Sequence, residues 1–331
     1  MSTSPIFIVG CPRSGNGLMR NLLFSHPHLA ISRETHFLVE FYEIYGDPQS
    51  EAEAFRLSQS ILQLQWIRRW NLSLTAKDLS HYRSYTHIVT RLFEEFARQN
   101  NKPRWGDKTP QYVTGIPVLL KLFPSCKIIH MIRDGRDAAL SWFNVNFGPR
   151  NVYCAAQQWK YYVSTGLAHG ADLSAKNYFE VRYEDLLQQT EKTMRDVCTF
   201  IDEPYCEEIL RPTIEVNDDR RISIWIPSKS HTYKPHIVEN NVAKWKNQMS
   251  PAQKILFESV AGDLLHSLDY ECDCVIRTIS RIEKMFWRFH HLVLWVVAEV
   301  NRRNKLKWIY TDIFLKWVKL RKSLANRIHF L

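Results

Sequence analysis

The chain has 331 residues, 45% hydrophobic and 24% charged. That is enough for a large core, and it excludes collagen-like, low-complexity and wholly disordered readings. The net charge of +10 is unevenly placed: residues 277–331 carry thirteen Lys/Arg against Glu283, Glu299 and Asp312, while the rest is balanced. The basicity belongs to a C-terminal tail.

The opening MSTSPIFIVG is too short and too uncharged for a signal peptide, and no stretch reaches the roughly 18 uncharged apolar residues of a spanning helix. Seven scattered cysteines, an odd number, fit a reduced compartment, so the expected location is cytoplasmic. Ile6 to Gly10 is an apolar run closed by a polar turn and by Leu18 to Leu23, which predicts strand, loop and helix. Glu34 to Asn101 predicts several helices, broken at Gly46-Asp47-Pro48 and at Asn71 to Ser73. Lys127 to Ile132 predicts a buried strand, with helices over 137–143 and 151–167. A further strand covers 178–183 and a helix 184–200.

Residues 211–240 hold Pro212, Pro227 and Pro235 and predict a long loop. Ser250-Pro251-Ala252-Gln253 is a capping box opening a helix to about Leu268. The alternation predicts an α/β fold, a parallel sheet flanked by helices, over residues 1–274. Residues 275–331 form a helical tail in which Trp287, Trp295, Trp308 and Trp317 stand among the basic residues. A basic amphipathic helix with interfacial aromatics lies on an anionic bilayer rather than crossing it, so a peripheral position at the inner membrane face is expected. Packing on the globular part or an oligomer contact is the other reading of the same pattern, and nucleic acid is not an expected partner.

Gly10 to Gly17 joins the first strand to the first helix, and such a loop offers backbone N–H groups and a helix start to an anion. Gly10 and Gly15 fit the first part of a nucleotide-triphosphatase loop, but Asn16 and Gly17 stand where Lys and Ser/Thr belong, which disfavours ATP or GTP chemistry. Arg13 supplies a cation instead. Two more stretches add weight: Arg104 to Pro110, and Phe123 to Trp142, where a strand delivers Arg133 at its carboxyl end. Ser141, two turns into the next helix, is placed to share an anion with Arg133. The plainer reading of Arg133 is an ion pair with Asp134 or Asp137.

These three blocks, in this order, resemble the sulfotransferases that use 3′-phosphoadenosine 5′-phosphosulfate (PAPS), in the bacterial Golgi-type branch that includes the tyrosylprotein sulfotransferases. The resemblance implies a nucleotide-kinase-like fold. It implies that Arg13, Ser14, Gly15, Asn16 and Gly17 hold the 5′-phosphosulfate and that Arg133 and Ser141 hold the 3′-phosphate. Tyr183 would sit by the nucleotide, and Ser228 and Lys244 match looser positions. Glu34, twenty-one residues after Arg13, is similar to the family's catalytic glutamate, and Lys108 to the lysine on the transferring group. One departure stands out: the family has Thr-Thr or Thr-Ser after the loop glycine, and this chain has Asn16-Gly17.

Sulfuryl transfer to a hydroxyl needs a base, here Glu34, and cations on the leaving phosphate, here Lys108 and Arg13. His36 is a competing base, and for Glu34 itself the plainer reading is a helix-start carboxylate. His26 and His28 flank a turn and carry no expected chemistry. No metal is expected: Asp218 and Asp219 lie amid Arg220 and Arg221, and Cys272 with Cys274 lacks a second ligand pair. The expected activity is transfer from PAPS to a hydroxyl of a glycan, glycolipid or lipid-linked acceptor. The alternatives are a membrane-docked nucleotide-binding protein without transfer activity and a kinase on a related scaffold.

Overall fold

A computed structural model of the chain describes residues 4–211, 241–272 and 276–300. The first half runs β1 (Ile6–Gly10), α1 (Asn16–Ser25), β2 (Leu29–Ser32), α2 (Leu38–Tyr45), α3 (Glu51–Leu62), α4 (Gln65–Arg68), α5 (Ala76–Leu79), α6 (Tyr85–Gln99), β3 (Arg104–Lys108) and α7 (Ile116–Leu122). The second runs β4 (Lys127–Ile132), α8 (Gly135–Phe143), α9 (Val152–Ala171), β5 (Tyr178–Arg182), α10 (Tyr183–Gln188), α11 (Thr190–Phe200), α12 (Trp245–Gln248), α13 (Pro251–Ser267) and α14 (Arg281–Val300). Ser228, Asp218, Asp219 and Cys274 lie outside the described residues.

The five strands form one parallel sheet in the order β2-β3-β1-β4-β5. β1 is central and every residue in it is buried, which is why it reads as an unbroken apolar run rather than an alternating one. Phe7 and Val9 enter a core shared with Phe41, Ile61 and Phe93 of the helical insertion. Ile6 and Ile8 enter another with Met19 and Leu22 of α1 and Met194 and Val197 of α11. A third core joins α8, α9 and α13 around Trp142, Trp159 and Phe257.

The α/β expectation holds, with two additions and one correction. β2 and β3 are strands that the sequence pattern does not mark. The helix expected over 184–200 is two helices, α10 and α11, separated at Gln189, whose backbone (φ −133°, ψ 48°) leaves the helical region. The capping box at Ser250 is formed as expected, with Ser250 and Gln253 side chains each accepting the other's backbone N–H. Because all strands are parallel, the carboxyl ends of β1, β2, β3 and β4 open on one edge of the sheet, and the loops leaving them converge there.

The described part of the tail is an irregular stretch over 276–280 followed by α14. Ile279 is buried in the third core, and the Asn151 amide donates to the Trp287 carbonyl at 2.8 Å, holding α14 against the start of α9. No helix among the described residues is long and apolar enough to cross a membrane.

Candidate active site

The loop after β1 is built from left-handed backbone: Arg13 has φ 75° and Gly15 φ 89°. A Cβ on Gly15 would stand 2.3 Å from the Tyr183 ring, so the ring as well as the turn demands glycine here. The first residues of α1 follow with no side-chain cap, which leaves their N–H groups facing the loop. Asn16 turns inward: its Nδ2 donates to the Cys11 carbonyl at 2.9 Å, bracing the loop. Its Oδ1 is buried without a hydrogen-bond partner among the described residues, and the Ser14 hydroxyl is buried beside the Cys11 thiol. A side chain added at Gly17 would meet nothing within 4 Å, so the space beside this position is open among the described residues.

Arg133 leaves β4 directly beneath this loop and is only 2% exposed. Its guanidinium donates to the Arg13 carbonyl at 3.1 Å and the Asn241 carbonyl at 2.8 Å, and lies 4.4 Å from the Tyr183 ring centroid. Its Nε is buried and has no partner among the described residues. Asp137 stands 3.8 Å away, so the plain ion-pair reading accounts for one side of the guanidinium only. Ser141 is brought to Arg13 rather than to Arg133: Arg13 Nε donates to Ser141 Oγ at 2.9 Å. Burial and the neighbouring Arg133 charge lower the Arg13 pKa, the signature of two cations held side by side.

Arg136, three residues on, has a different job. It is fully buried between Asp134 (2.8 Å) and Glu258 (2.7 Å) with Trp245 beneath it, and it holds α8 to α13. Asn241 was not legible in the sequence; its Nδ2 donates to the Tyr183 hydroxyl at 2.5 Å and so fixes that ring. Lys244 opens α12, half-exposed, and among the described residues its side chain makes no hydrogen bond or ion pair.

The second half of the site comes from β2 and β3. Their register sets Ser32 beside Asp107, so Glu34, two residues on, and Lys108, one residue on, meet although 74 positions apart. Lys108 Nζ donates to Glu34 Oε1 at 2.7 Å, and His36 Nε2 lies 3.1 Å from Glu34 Oε2. Glu34 is not a helix-start carboxylate, since it precedes α2 by four residues in an irregular segment. Burial pushes its pKa up, but the Lys108 charge and the His36 ring outweigh that and hold it far below the usual carboxylate range. Glu34 is also near enough to raise the Arg13 pKa, which ties the two halves together. His36 adopts φ 55° and sets its ring edge-on to Trp66.

Behind this pair, Asp107 is fully buried and accepts from the Ser32 hydroxyl at 2.9 Å. Burial pushes its pKa up to about 6, against the pull of hydrogen bonds from Thr109, Thr35 and Ser32. A carboxyl whose pKa is raised in the folded state adds stability that is fully present below its unfolded value and lost as pH rises through about 6. Asp107→Asn is therefore expected to gain about 1–3 kcal/mol on the wild type between pH 4 and pH 7. Urea unfolding of both proteins at the two pH values checks this, and a constant difference contradicts it.

His26 and His28, expected to do nothing chemical, meet Glu203 in a cluster with metal-ligand character. His26 Nδ1 accepts from the His28 N–H at 3.1 Å and Nε2 faces the Pro204 carbonyl at 2.9 Å, so neither nitrogen has a lone pair to offer. Glu203 pairs with His28 and with Arg104. The cluster is a satisfied brace between the end of α1 and the segment after α11.

Comparison with known proteins accords with this geometry. The model described as "Sulfotransferase family" matches residues 5–207, and the chain belongs to that family. It is 26% identical over 277 residues to Protein-tyrosine sulfotransferase A of Caenorhabditis elegans, covering 81% of this chain and 68% of that protein. It is 25% identical over 274 residues to Protein-tyrosine sulfotransferase of Drosophila melanogaster, covering 80% of this chain and 51% of that protein. Among solved structures, the sulfotransferase domain of the curacin biosynthetic pathway superposes with a TM-score of 0.56 at 24% identity, over 82% of this chain and 99% of that one. The sulfotransferase domain of the Synechococcus PCC 7002 olefin synthase gives 0.55 at 21%, over 82% and 98%. The last two likenesses establish the fold.

Proposed function

We propose that this sulfotransferase takes its sulfuryl group from PAPS and delivers it to a hydroxyl. The observation that supports the donor assignment is the buried Arg133 Nε, without a hydrogen-bond partner among the described residues, near the uncapped start of α1. A phosphate oxygen would satisfy such a donor, and a buried donor left unmade costs about 1–3 kcal/mol. The site fits a doubly phosphorylated nucleotide: Arg133 would hold the 3′-phosphate, while Arg13, Ser14, Gly15 and the amides of Asn16 and Gly17 would hold the 5′-phosphosulfate. Ser141 acts through Arg13, Tyr183 packs on the loop, and Ser228 and Lys244 are assigned to the donor by resemblance. PAPS supplies the sulfuryl group and a phosphate leaving group. Lys108 and Arg13 steady the negative charge that develops on the leaving oxygen, and Glu34 takes the hydroxyl proton.

For the acceptor, the basic aromatic tail supports a hydroxyl carried at a membrane, on a glycan, glycolipid or lipid-linked molecule, with residues 1–274 as the transferase unit and 275–331 as its peripheral anchor at the inner face. A tyrosine hydroxyl is the second reading, favoured by the names of the relatives. Incubation with [³⁵S]PAPS and, separately, total lipid, soluble glycans and tyrosine-containing peptides tests this. Label in lipid or glycan is the expected result, and label in peptide alone moves the acceptor to tyrosine. Binding of PAPS with no label transferred to any class leaves a nucleotide-binding protein without transfer activity.

A further inference from the structure

α14 has three distinct sides. One edge is docked: besides the Asn151–Trp287 bond, the Arg150 N–H donates to His291 Nδ1 at 3.1 Å, and Trp287 packs against the third core. The opposite side is left uncovered by the described residues. Ile282, Met285, Phe286, Phe289, Val293 and Val297 recur at spacings of three and four, so they share one face, and they are 42–80% exposed. On the margin between the two, Arg281, Lys284 and Arg288 stand at spacings of three and four, all exposed. A contiguous apolar face of this size marks a contact surface.

Charge decides what covers it. Residues 301–331 add nine Lys/Arg against Asp312 alone. A second copy seated on the same face would bring this excess against its like, whereas an anionic surface would neutralise it. We propose that α14 lies in the interface of an anionic bilayer, its apolar face among the acyl chains and Arg281, Lys284 and Arg288 among the headgroups. This rests on the peripheral-membrane reading of the tail and deepens it. Because the helix is already fastened to α9 along its other edge, it is a rigid foot that fixes the orientation of the transferase on the membrane, and not a loose tether. A helix of 20 residues, about 30 Å long, lying in the plane needs no spanning length.

Flotation of the full chain with vesicles tests this, using phosphatidylcholine alone or with about 30% phosphatidylglycerol. The wild type is expected to float about tenfold more with the anionic vesicles. Phe286→Glu with Phe289→Glu is expected to reduce that at least about tenfold while leaving 3′-phosphoadenosine 5′-phosphate (PAP) binding unchanged. Phe289→Glu alone, a 65% exposed position, should show the same direction if the double variant folds poorly. Flotation of the double variant at the wild-type level assigns the contact to residues 301–331 and overturns the proposal. So does equal flotation of the wild type on neutral vesicles, no flotation, or a dimer by light scattering that the double variant splits. A wild type that floats but does not bind PAP overturns the donor assignment and supports the foot.

Discussion

Glu34→Gln is expected to keep the fold and donor binding while lowering turnover by about 10²–10⁴-fold, the usual loss when a general base is removed. The side chain is near-isosteric and can keep an acceptor oxygen for Lys108, but it gives up both the negative charge of the ion pair and the ability to take a proton. Glu34 stands ionised between Lys108 and His36, the correct form for a base but a weak one while Lys108 holds it. In the proposed mechanism the Lys108 ammonium would turn to the negative charge of a bound donor, and the carboxylate would then lose its strongest partner and gain basicity. Donor occupancy and base strength would thus be coupled through one lysine. Steady-state kinetics of the variant, with PAP affinity measured alongside, checks the prediction. Turnover within about threefold of the wild type would pass the role to His36, 3.1 Å away.

Much of the geometry of the proposed donor side was legible because it is local. β1 is a continuous apolar run ending in Gly10, β4 is a mostly apolar one followed by Arg133, and each hands over to a helix, so strand, turn and cation follow one another along the chain. β2 and β3 were hidden for different reasons. β2 is four residues long, and β3, Arg104-Trp105-Gly106-Asp107-Lys108, carries three charged residues and a glycine. Only its pairing between β2 and β1 buries it, and that is tertiary information. The same register produces the Glu34–Lys108 contact, so their meeting was reachable from the sequence by resemblance and not by pattern. Spacing placed Ser141 on the right face of α8 but could not say that Arg13, rather than Arg133, reaches it. Gln189 breaks a helix without Gly or Pro, and Asn241 follows a long segment without periodicity; neither leaves a local signal.

Arg133→Ala has the second large expected effect. Loss of a charge-assisted contact to the 3′-phosphate costs about 1.5–3 kcal/mol, roughly 10- to 150-fold in affinity. The same guanidinium also ties the Arg13 and Asn241 carbonyls, so part of the loss comes from a loosened loop. Arg133→Lys keeps the charge without the two-pronged geometry, and separates the terms by falling between wild type and alanine. Isothermal titration of PAP into the wild type and Arg133→Ala, without added metal, tests the donor cradle most directly. Saturable binding to the wild type, weakened at least about tenfold in the alanine variant, is the predicted result. Equal affinity of the two proteins, or a wild type that ignores PAP and takes up ATP with Mg²⁺ instead, would contradict it.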